Sequence, residues 1–103
     1  MSVNQRLVNP LTDQLFDAIL SLSTREECYE FFEDICTINE LRDISQRLEV
    51  ARMLRDGAKY DRIEAETGAS TATISRVKRC LKYGADGYLH VLDKLEKNAE
   101  ENG

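Results

Sequence analysis

The sequence predicts an all-α fold of about six helices, with a helix-turn-helix in its second half. Three observations carry that expectation. Apolar residues recur at spacings of three and four, and no β-type alternation of useful length interrupts them. Hydroxyl, asparagine and glycine residues punctuate these runs where helices start and stop. The composition is 32% charged and 7% aromatic with no tryptophan, which suits a helical bundle better than a sandwich or barrel. A chain of 103 residues fits one domain, 1–103, with one small core.

The elements follow in order. Asn9-Pro10 pairs an N-cap with proline at the first helical position, where a missing amide proton does no harm. Leu11, Leu15, Phe16, Ile19 and Leu20 then keep helical spacing. A second helix restarts after "SLSTREE", where Ser23 with Glu26 or Thr24 with Glu27 fits a capping box. Its stripe is Cys28, Phe31, Phe32 and Ile35. Thr37 with Glu40 is another capping box, opening a third helix with Leu41, Ile44, Leu48, Ala51 and Leu54 on one face and Gly57 past its end. These helices, residues 1–57, read as scaffold.

The segment 59–83 is different. "KYDRIEAET" forms a short helix anchored by Ile63 and stopped by Gly68. Ser70 then caps a second helix whose inner face is Ile74, Val77 and Leu81, with Gly84 as its stop. Its first turn is small and polar, and its outer face is basic. Two helices joined by Gly68-Ala69-Ser70 match a helix-turn-helix, in which the start of the second helix meets base edges in the major groove. Small residues there permit close approach. Threonine and alanine methyls can meet a thymine methyl, and hydroxyls can pair with several base edges. The candidate DNA-contacting set is Tyr60, Ser70, Thr71, Ala72, Thr73, Ser75, Arg76, Lys78, Arg79 and Lys82.

Charge distribution supports that assignment although the whole chain is acidic, at −5. Residues 1–58 carry 6 basic and 11 acidic side chains, residues 59–83 carry 6 and 3, and residues 84–103 carry 2 and 5. A local basic face attracts phosphate while the remainder repels it. The last helix, 85–98, is expected to carry a stripe of Tyr88, Leu92 and Leu95, and the polar tail 99–103 to fray.

Cys28, Cys36 and Cys80 form no C-x-x-C pair, their number suits no disulfide framework, and one distant histidine, His90, completes no zinc site. They read as reduced, small buried hydrophobes in a cytoplasmic protein with no signal peptide. No run is long and apolar enough for a membrane span. A phosphate-binding glycine loop and a nucleophile elbow are both missing, so no enzyme is expected, nor any metal or cofactor. A rival reading is a protein-interaction module whose helix-turn-helix no longer binds DNA specifically. Salt-sensitive, sequence-selective affinity for duplex DNA separates the two.

The run "MLRDGAKYDRIEAETGASTATISRVKRCLKYGADGY" resembles the Trp repressor superfamily, and more particularly its YerC/YecD branch. That repressor is among the standard examples of the motif. The resemblance implies a Trp-repressor-like bundle, an intertwined homodimer and a transcriptional repressor acting on double-stranded DNA. It also implies a small-molecule effector between core and recognition helix, held between two arginines. Those positions fall on Arg47 and Arg76, with Thr37 near the ligand carboxylate. Val77 stands where the repressor has a glycine, and Cys80 where it has a serine. A β-branched side chain there intrudes on an indole, so tryptophan is not the expected effector.

Overall fold

The computed structural model describes residues 3–102 and contains, among them, six α-helices and no strand. A 3-10 turn at Gln5–Leu7 precedes α1 (Pro10–Leu20), α2 (Arg25–Ile35), α3 (Ile38–Arg55), α4 (Tyr60–Thr67), α5 (Thr71–Tyr83) and α6 (Gly87–Asn102).

Local chemistry sets the helix starts. The Asn9 side chain accepts from the Thr12 amide at 2.9 Å, directly ahead of Pro10. At α2 the capping pair is Thr24 with Glu27: Thr24 Oγ1 accepts from the Glu27 amide at 3.1 Å. The Glu27 carboxylate in turn accepts from the Ser23 amide at 3.1 Å. Thr37 and Glu40 close the same box reciprocally at α3, at 3.1 and 2.8 Å. These bonds satisfy amides at or just ahead of the helix starts that have no partner within the helix.

The described residues form two compact units, one ending at Arg42 and the other starting at Asp43. The second unit holds a closed core: Val50, Ala51 and Met53 of α3, Ile63 of α4, Ala69 of the turn, Ile74 and Val77 of α5, and Leu92 of α6. Leu54, Ala58, Tyr60, Leu81 and Tyr88 pack around it half-buried. In the first unit α1 and α2 bring Leu11, Leu15, Ala18, Phe31 and Ile35 around a shallow groove. Phe31 and Phe32 meet edge to face at 5.5 Å.

Three expectations need correction. The stripe expected on α3 is not buried as a whole: Ile44 is 47% and Leu48 37% exposed, while Val50 and Met53, outside the stripe, are core. From Val50 on, Val50, Ala51 and Met53 all join one core cluster with residues of α4, α5 and α6, a wider set than the expected stripe. The cysteines are not core residues, since Cys28 and Cys80 are exposed and Cys36 is half-buried. Cys80 sits off the line through Ile74, Val77 and Leu81, and the stripe of α2 has no closed core over it. The tail does not leave the helix at 98. α6 continues to Asn102 through Lys, Ala and Glu, good helix formers, and Gly103 lies outside the described residues.

Candidate nucleic-acid interface

The turn between α4 and α5 is built from short, specific bonds. Gly68 ends α4 in the left-handed region, φ 74°, and its amide reaches the Glu64 carbonyl at 2.9 Å. A side chain there would be strained, which is why glycine holds the position. Thr67 Oγ1 donates to the Ile63 carbonyl at 2.7 Å and accepts from the Ala69 amide at 3.1 Å. Gln46, on α3, donates its side-chain amide to the Thr67 carbonyl at 3.1 Å. That bond ties the turn to α3 across 21 residues of sequence. Sequence reasoning missed Gln46; its one signal is a polar residue next to apolar positions of a helix.

α5 begins with Ser70 as N-cap. The Ser70 Oγ accepts from the Thr73 amide at 3.2 Å and its hydroxyl donates to Thr73 Oγ1 at 3.1 Å. Ile74 and Val77 are fully buried, and Leu81 is half-buried below them. Anchoring that face fixes the outward rotation of the rest. Ser70, Thr71, Ala72, Ser75, Arg76, Lys78, Arg79 and Lys82 are all exposed, whereas Thr73 and Tyr60 are half-buried. Thr73 therefore serves the cap as well as the surface. Tyr60 OH and Ser75 Oγ lie 3.4 Å apart, and the Lys78 Nζ sits 5.7 Å from the Tyr60 ring centroid. The sequence-derived set is thus one continuous surface on the outer side of α5, extended by Tyr60 from α4.

Its electrostatics differ from those of α3. Arg52 grips Glu49 through two bonds of 2.7 Å and reaches Asp56 at 3.1 Å. Those bonds hold the Glu49 carboxyl below its ordinary range, against the opposing effect of partial burial, and raise the Arg52 guanidinium further. Arg55 and Arg62 are likewise paired with carboxylates. Among the described residues, none of Arg76, Lys78, Arg79 and Lys82 makes an ion pair, and α5 contains no acidic residue. Unpaired cations on an anchored helix are free to meet phosphate.

Residues 11–96 match the family model for Trp repressor protein. The chain belongs to the Trp repressor family. It is 63% identical over 90 residues to the uncharacterized protein YerC of Bacillus subtilis (strain 168), covering 87% of this chain and 86% of that one. A crystal structure of a Staphylococcus aureus protein superposes with a TM-score of 0.88 at 54% identity, covering 92% of this chain and 96% of that one. A TrpR-like protein from Eubacterium eligens gives the same TM-score at 56% identity, with 90% and 96% covered. The Trp-repressor-like all-α fold is therefore that of solved relatives, and the family is one of regulators.

The residues that the family resemblance assigns to an effector are placed as follows. Val77 is buried in the core, Arg47 is half-buried, and Arg76 and Cys80 are exposed. Thr37 is occupied in the α3 capping box. No helix among the described residues is long and apolar enough to cross a membrane.

Proposed function

We propose that this protein is a sequence-specific regulator of transcription, a repressor, that reads double-stranded DNA with α5 in the major groove. One observation carries the reading. The first turns of α5 expose Thr71, Ala72, Ser75 and Arg76, followed by unpaired Lys78, Arg79 and Lys82, on a helix locked by Ile74 and Val77. Small side chains lead, so backbone and groove can approach; cations trail, where the strands' phosphates run. The working form is a homodimer in the cytoplasm, with two such helices addressing half-sites about 34–36 Å apart.

Selection from random duplexes tests this directly. The expected result is a roughly palindromic site whose affinity falls with salt. Arg76→Ala should cost about 1–3 kcal/mol on the preferred site and relax its sequence. Arg79→Ala should weaken all duplexes alike and lower the salt slope by about one unit. A protein-interaction module predicts no selected site and no such slope. Tryptophan is not the effector in this reading, because Val77 fills its position with a side chain committed to the core. Calorimetry showing tight tryptophan binding by the native chain would overturn that point.

A further inference from the structure

A cleft of about 650 Å³ opens where the end of α3, the start of α4, the second half of α5 and α6 converge. Its walls are Leu54, Ala58, Leu81 and Leu89, and its cations are Lys59, Lys78, Lys82 and Arg55. The volume lies within the roughly 300–1,000 Å³ typical of small-ligand sites. Arg55 is neutralised by Asp93 at 3.1 Å, Glu96 at 3.4 Å and Asp56 at 3.8 Å. The three lysines are not: among the described residues none of them makes an ion pair. The cleft thus joins an apolar lining to three ammonium groups with no counter-charge. None of Arg47, Arg76, Val77 and Cys80 lines it, so it is separate from the effector position that family resemblance suggests.

We infer that this cleft binds a small amphiphilic anion, an organic phosphate or carboxylate with a hydrocarbon or aryl body. The anionic group is met by Lys59, Lys78 and Lys82, and the body covers Leu54, Leu81 and Leu89. A bare inorganic anion leaves the apolar walls uncovered, and a neutral alcohol leaves the lysines uncompensated. Each half alone therefore binds more weakly than the joined molecule. The regulatory consequence rests on the DNA reading proposed above. Lys78 and Lys82 also stand on the basic face of α5, so an anion that engages them withdraws them from phosphates. Ligand and DNA then oppose each other, and by linkage each weakens the other equally. Such a ligand releases DNA.

The experiment uses the native full chain without DNA and hexyl phosphate as the probe, followed by amide NMR. Hexyl phosphate should shift Ala58, Lys59, Tyr60, Lys78, Leu81 and Lys82 saturably, with inorganic phosphate and hexanol each at least about tenfold weaker. The double variant Lys78→Gln, Lys82→Gln should lose about tenfold in hexyl phosphate affinity and leave hexanol unchanged. Leu89→Ala, a surface-lining change, should weaken hexyl phosphate and leave inorganic phosphate unchanged. Equal affinity for inorganic phosphate, shifts centred elsewhere, or no saturable shift at all overturns the site. DNA affinity is measured on the same protein with and without the probe. If duplex binds but is not weakened as the cleft saturates, the competition is wrong. If duplex does not bind at all, the DNA reading fails while the cleft titration stands by itself.

Discussion

Residues 3–42 and 43–102 are similar in helix content but opposite in what they enclose. The later unit buries Ile63, Ile74, Val50 and Val77 almost completely within one chain. The earlier unit buries no described residue, and leaves Leu11 79%, Leu20 81% and Ile38 72% exposed. Large apolar side chains left this exposed are common where a protein meets a partner. One region encloses a core within the chain; among its described residues the other does not. In the homodimer proposed above, a second copy of the chain would give the α1 and α2 faces a shared core.

Breaking that contrast at its open end should have the largest effect. The native chain is expected to sediment as a dimer at micromolar concentration. Leu11→Asp combined with Leu20→Asp should sediment as a monomer and lose much of its helical circular dichroism. A native chain that is monomeric and still fully helical would remove the distinction between the two regions. At the closed end, Ile74→Ala deletes a fully buried side chain and should cost about 2–5 kcal/mol in chemical unfolding. The dimer should persist in that variant, since Ile74 belongs to the later unit's own core.

The contrast also explains which features were legible in the sequence. Caps are local chemistry, so Asn9, Thr37 and Ser70 could be read from a few residues each. The ambiguity at α2 needed the fold to resolve it in favour of Thr24 and Glu27. The outer face of α5 followed from periodicity, because Ile74 and Val77 meet their partners inside the same unit. In contrast, Ile44 and Leu48 looked like core residues and are partly exposed. Periodicity identifies an apolar face but not whether the same chain supplies its cover. The Gln46–Thr67 bond and the lysine-edged cleft were invisible for another reason: both join residues distant in sequence.

Gln46 sharpens the comparison at intermediate scale. Its bond to the Thr67 carbonyl ties the turn ahead of α5 to α3, beside the burial of Ala69 in the shared core. Gln46→Ala should lower stability by about 0.5–1.5 kcal/mol, the usual net worth of such a bond. Amide exchange should quicken from Thr67 to Ala69 and remain unchanged in α1. Unaltered exchange at the turn would mean that Gly68 and Thr67 hold it unaided.

The smallest effect is expected at the Thr37–Glu40 box. The Thr37 amide, and secondarily its hydroxyl, hold the Glu40 carboxyl below the ordinary glutamate range. Its charged form is thus favoured in the folded state. The stabilisation it contributes is complete above the ordinary glutamate value and is lost as pH falls through the lowered folded one. Because Glu40 is fully exposed, water screens most of this and the change is small. Glu40→Gln keeps an acceptor for the Thr37 amide but removes the charge. Acid titration of the native chain and this variant should therefore show the native chain's advantage vanishing below the carboxylate range, with both equal there. A pH-independent difference would assign the box's contribution to hydrogen-bond geometry alone, not to the carboxylate's charge.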